Sequence, residues 1–110
     1  MDSFRRPSTS ERRLIEALVQ RSNLALPPEW KNTLSVETMD DGEMGGLLLF
    51  PDGCEQEERV FGGVASRIEF KDQDGTDVLV TLNLDKDGKL FEIDSWKVDF
   101  SPLIRIPDDL

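Results

Sequence analysis

The chain has no histidine, no tyrosine and a single cysteine, Cys54. Without histidine, neither a serine nor Cys54 has the usual neutral-pH base to activate it, which excludes triad-type nucleophilic catalysis. The same absence, with only one thiol, removes the ordinary zinc ligand sets. A lone cysteine forms no internal disulfide, and the carboxylates of Pro51-Asp52-Gly53-Cys54-Glu55-Gln56-Glu57-Glu58 disfavour its thiolate. Long apolar runs are also missing: nothing approaches the roughly 18 residues of a membrane span, and polar and basic residues follow Met1 where a signal peptide would be apolar. A cytoplasmic protein with no membrane partner is expected. Gly42, Gly45 and Gly46 form no Gly-x-Gly-x-x-Gly pattern, and no Gly-Lys-Ser/Thr triplet occurs, so nucleotide binding has no support. Two tryptophans and no tyrosine give little with which to line a sugar cleft, although a carboxylate-dependent enzyme stays open as an alternative.

What the chain has in excess is acid. It carries 23 acidic and 13 basic side chains in 110 residues, a net charge of −10. The basic residues concentrate in 1–31, leaving residues 32–110 with a net −12. Such a field repels nucleic acid and anionic membranes and speeds encounter with a basic protein. It also serves simple solubility. The length suits one domain spanning residues 1–110 with a single core.

The pattern along the chain is that of a helix followed by strands. Ser8-Thr9-Ser10-Glu11 has the hydroxyl and carboxylate spacing of a capping box, and the spacing predicts a helix from about Thr9 to Ser22 with Leu14, Ile15, Ala17, Leu18 and Val19 as its apolar stripe. Residues 1–8 are expected as a flexible N-terminus. Pro28 can open a single helical turn that lays Trp30 over the core edge. Leu34–Met39 and Gly46–Phe50 read as a first hairpin around Asp40-Asp41-Gly42-Glu43, followed by an acidic loop over 51–63, expected to be mobile, with Val60 and Phe61 as its apolar ties. Three further strands are predicted over Val64–Lys71, Thr76–Leu84 and Lys89–Ser95, with Val64, Ser66, Ile68 and Phe70 sharing one face and Val78, Val80, Leu82 and Leu84 another. Between them lie two matching turns, Asp72-Gln73-Asp74-Gly75 and Asp85-Lys86-Asp87-Gly88, each closed by a glycine that supplies the positive φ of a three-residue hairpin loop. The fold class is α+β: an amphipathic N-terminal helix on one face of an antiparallel β-meander of about five strands. Pro102 and Pro107 confine the last segment to an edge or an extended cover.

The second turn also mimics a calcium loop. Asn83, Asp85, Asp87 and Asp94 stand at loop positions one, three, five and twelve, with Gly88 at six. Against it, Asp94 replaces the longer Glu, and the flanks alternate with period two, as strands do. A metal- or small-molecule-responsive module built on Asp85–Asp94 is therefore the second reading, and no cofactor is assigned. The first is a small non-catalytic interaction protein, of the immunity type, whose acidic connections meet a basic partner. Its candidate contacts are Asp40, Asp41 and Glu43; Glu55, Glu57 and Glu58; and Trp96 with Asp94 and Asp99, an indole flanked by carboxylates. The oligomeric state and the fate of the sheet edge stay open.

The segment from Leu90 to Arg105, with Arg12-Arg13-Leu14-Ile15-Glu16-Ala17-Leu18 and Asp40-Asp41-Gly42-Glu43-Met44-Gly45, resembles a group of small, uncharacterised bacterial proteins. Trp96 to Arg105 is the most specific part. That resemblance implies a fold and a compartment and no site residues.

Overall fold

The computed structural model describes residues 4–53 and 58–110. The capping box forms as its residues require: the Ser8 hydroxyl accepts the Glu11 N–H while the Glu11 carboxylate accepts the Ser8 N–H. Helix α1 (Thr9–Gln20) follows and buries Leu14, Ile15, Ala17 and Leu18. A single turn, α2 (Trp30–Thr33), lays Trp30 against the core. The strands are β1 (Ser35–Thr38), β2 (Leu47–Phe50), β3 (Phe61–Lys71), β4 (Asp77–Asp85) and β5 (Leu90–Lys97). All pair antiparallel, giving the expected α+β architecture.

The sheet order is β1-β2-β5-β4-β3. The last three strands are a meander, whereas the first hairpin docks beside β5 through Leu47 and Leu48 opposite Ile93 and Glu92. The connection from β2 to β3 therefore crosses to the far edge. One face of the sheet and α1 enclose the core, which includes Val36, Leu49, Ile68, Val80, Leu82 and Ile93, and the Ser66 hydroxyl donates to the Leu18 carbonyl at 2.6 Å. On the other face Phe50 is buried against Phe4 near β1, while Arg67, Glu69, Asp94 and Trp96 are exposed. No helix among the described residues is long and apolar enough to cross a membrane.

The structure adds contacts at the N-terminus and corrects the start and the facing of β3. Residues 4–8 are pinned: Arg5 exchanges both backbone hydrogen bonds with Val36 at the free edge of β1, its guanidinium grips Glu11 and Thr38, and Phe4 lies 4.3 Å from the Phe50 ring. β3 begins at Phe61, three residues earlier than expected, and Val60 and Phe61 are exposed instead of tying the loop to the core. A register shift between Val64 and Ser66 places a bulge at Ala65, which turns Val64 out to solvent while Ser66, Ile68 and Phe70 stay on the core side. Cys54, Glu55, Gln56 and Glu57 of the acidic loop lie outside the described residues.

Candidate functional site

The matching turns close their hairpins in the same way. In the first, the Asp72 N–H donates to the Thr76 carbonyl and the Gly75 N–H to the Asp72 carbonyl; in the second, the Asp85 N–H donates to Lys89 and the Gly88 N–H to Asp85. Gly75 and Gly88 both have φ of 81°. The leading aspartate of each turn is buried and holds a distant cation.

At one end of β4, the Lys97 ammonium, with no side-chain exposure, donates to Asp72 and Asp74 at 2.8 Å each and to the Pro102 carbonyl at 3.1 Å. All three of its protons are used. Asp72 also accepts the N–H groups of Ile104 and Arg105, which straps the C-terminal segment across the sheet end. Burial alone would raise the Asp72 carboxyl, but Lys97 and the N–H groups of Ile104, Gln73 and Arg105 outweigh it and bring it down to about 2. Burial works against the Lys97 charge in turn, and its two carboxylate partners hold its pKa above the usual lysine value.

At the other end, Arg59 donates Nε to Asp85 at 2.8 Å, Nη1 to the Leu49 carbonyl at 2.7 Å and Nη2 to the Leu90 carbonyl. Its guanidinium lies 5.2 Å from the centroid of the Phe91 ring. The pairing of β2 with β5 stops at Leu48 and Glu92, so Arg59 takes up carbonyls that the ladder leaves behind. Asp85 also accepts the N–H groups of Asp87 and Lys89; burial opposes its ionisation, yet Arg59 and these amides hold its carboxyl below the usual range.

Neither cation was among the candidates read from the sequence. Two signals were present. Lys97 is in phase with Ile93 and Ser95 on an alternating strand, and Arg59 is the one basic residue between Lys31 and Arg67.

These placements disperse the oxygens of the calcium-like segment. Asp85 faces Arg59, the Asn83 amide donates to Glu92 at 3.0 Å, and Asp94 is exposed on the open face of the sheet, opposite Thr81. Among the described residues no cluster of three or more acidic or cysteine side chains is placed to hold a metal ion.

The candidate contacts divide by location. Asp41 is half-buried and caps its own loop, accepting the N–H groups of Met44 and Gly46. Asp40 and Glu43 are exposed, and the Glu43 carbonyl accepts the Leu103 N–H, which draws this loop to the C-terminal strap. The Ser95 hydroxyl donates to the Met44 carbonyl, so the same loop flanks β5 near Trp96. Glu58 is exposed beside Arg59, at the opposite end of the sheet.

Trp96 is the centre of the more informative group. It is 43 % exposed on the face away from α1, opposite Leu79, and its ring centroid is 6.2 Å from that of Phe100, tilted by 57°. Phe100 is 69 % exposed and has φ of 63°, a left-handed conformation that costs a bulky residue energy. It is held there by its N–H bond to the Lys97 carbonyl and by Asp99, whose carboxylate accepts the Ser101 hydroxyl and N–H and is lowered in pKa by them. Asp94 stands two positions before Trp96 and Asp99 immediately before Phe100, and Val98 adds exposed apolar surface. Sequence reasoning singled out Trp96 and not Phe100, whose exposure depends on the turn after β5.

A cavity of about 260 Å³ lies between α2 and the second turn, lined by Leu26, Trp30, Pro51 and Leu90. It falls below the roughly 300 Å³ at which small-molecule sites begin.

An open-faced α+β fold with an acidic, aromatic-bearing sheet surface is the class that these observations define. The chain belongs to the family described as Domain of unknown function (DUF6984), whose profile matches residues 4–107. No curated protein and no solved structure matches the chain.

Proposed function

We propose that this is a small, non-catalytic interaction protein of the immunity type that binds a basic partner protein through the open face of its sheet. One observation carries the reading: Trp96 and the left-handed Phe100 are both turned to solvent, beside Asp94 and Asp99, on the face of the sheet away from α1. An exposed aromatic in a costly backbone conformation is retained for what it touches. Aromatic faces bordered by carboxylates suit an arginine or lysine, which gains a cation–π contact and an ion pair together. The net charge of −10 adds long-range attraction for such a partner. Asp40 and Glu43, exposed on the loop that flanks β5, would add further carboxylates to the contact.

The test is affinity capture from the native cell, with the unmodified chain and a Trp96→Ala/Phe100→Ser variant side by side at low and high salt. A basic protein retained at low salt by the first, released at high salt and lost by the variant supports the reading. Identical captured sets for the two proteins, or capture of no basic protein, overturns it.

A further inference from the structure

The two edges of the sheet are treated differently. The free edge of β1 is occupied by Arg5 of the same chain. At the other edge, β3 extends over Phe61–Lys71, and its outward backbone groups are identified by the pairing. The Asp77 carbonyl accepts the Val98 N–H, so the backbone of Asp77 faces β5. Lys71, directly opposite Asp77 on β3, therefore turns its own N–H and C=O away from β4. By alternation the same holds for Glu69 and Arg67, opposite Leu79 and Thr81. Among the described residues these outward N–H and C=O groups have no backbone partner.

The side chains at this edge are charged. Arg67, Glu69 and Lys71 are exposed on the open face; Lys71 is bonded to Asp77 at 2.7 Å, while Arg67 and Glu69 have no partner among the described residues. Charge on an edge strand normally discourages unplanned pairing. Here its order matters more than its amount, because Arg67 and Glu69 flank Ile68 with opposite signs.

We propose that β3 pairs antiparallel with β3 of a second copy of this chain, about a two-fold axis at Ile68. In that register Arg67 stands opposite Glu69 of the second copy, and Glu69 opposite its Arg67. Both are positions whose N–H and C=O point outward, so each pair exchanges two backbone hydrogen bonds and one cross-strand ion pair. Ile68 meets Ile68, and the half-buried Phe70 meets Ser66, on the side that carries α1. Other registers lose this match: centring on Glu69 sets Glu69 against itself. The bulge at Ala65 ends the regular edge, so the contact is short. A short contact gives a weak dimer, with a Kd between about 1 µM and about 1 mM.

Sedimentation equilibrium over a concentration series, at about 0.15 M salt to screen repulsion between the two acidic chains, tests this. The weight-average mass of the unmodified chain is expected to rise from 12.5 kDa towards twice that value. Arg67→Glu places like charges opposite each other at both pairs and should weaken association about tenfold or more. Arg67→Glu with Glu69→Arg restores opposite signs in the same register and should restore association. Both sites are exposed, and circular dichroism verifies that the fold is retained. A mass that stays at the monomer value up to about 1 mM overturns the proposal. So does an Arg67→Glu chain that associates as the unmodified one does, or a double variant that stays as weak as the single.

Discussion

The two turns at the ends of β4 share a sequence pattern and a backbone, yet their leading aspartates hold different parts of the molecule. Asp72 reaches outward to Lys97 and to the amides of Ile104 and Arg105, and so fastens the C-terminal strap. Asp85 bonds inward to its own turn at Asp87 and Lys89, and fastens the β2–β3 connection through Arg59. In the first turn Asp72 keeps only the Gln73 N–H, and the rest of that inner role passes to Asp74, which accepts the Thr76 N–H. A local motif thus fixes a hairpin, while the segment arriving from elsewhere decides which carboxylate oxygen is left to bind it.

The comparison breaks most sharply at Arg59. Arg59→Met leaves Asp85 as an unpaired buried carboxylate and strands the carbonyls of Leu49 and Leu90. Losing one member of a buried pair costs about 3–5 kcal/mol. Thermal denaturation should show a midpoint lower by roughly 10–20 °C, and a loss under a few degrees would show that Arg59 is dispensable. Gly62 sharpens the point, because a Cβ there would collide with the Asp85 carbonyl; the connection is pressed against this turn by backbone as well as by charge.

Asp72→Asn is the matching experiment at the other end. The amide keeps the shape but turns a donor towards the donors of Lys97 or the strap, at a cost of about 1–3 kcal/mol. Hydrogen exchange at the Ile104 and Arg105 amides should quicken in this variant and not in Asp85→Asn; equal rates in both would mean that the strap is held by Leu103 and Ile106 alone. The pH dependence carries the same signature. The Asp72 carboxyl falls from 3.8 to about 2 on folding, so its contribution is fully present above about 4 and is lost as pH drops through about 2. The lowered Asp85 works in the same direction. Acid titration of stability should therefore be flat near neutrality and steep below about pH 4, and shallower for Asp72→Asn.

Much of the fold was legible because it is local. The capping box at Ser8 and Glu11, the α1 stripe, both glycine turns and the alternation in β4 each depend on residues within a few positions of one another. The order β1-β2-β5-β4-β3 was not legible, since the docking of β2 beside β5 joins segments more than 40 positions apart. The bulge at Ala65 was hidden because Val64 fits the period on either side of it. Of the candidate surface, Trp96 and its carboxylates could be read, whereas Phe100 could not, its exposure being set by a positive φ at a residue that does not advertise one. Arg59 and Lys97 were passed over because a charge in sequence reads as solvent-facing until its partner is located.

The smallest expected effect is the one on which the two turns should agree. Gly75 and Gly88 share φ of 81°, and a Cβ at either would meet nothing within 4 Å. Replacing each by alanine therefore leaves the packing untouched and exposes only the cost of holding an L-residue in the left-handed region, about 1–2 kcal/mol. The buried pairs beneath the turns differ, and each glycine meets its pair only through the backbone, its N–H donating to the carbonyl of Asp72 or Asp85. Equal losses for Gly75→Ala and Gly88→Ala in chemical denaturation would show that each hairpin is a self-contained backbone device carrying an independent side-chain latch. Unequal losses would show that turn and latch are coupled, and the larger loss would identify the end at which the cation holds the turn in its conformation.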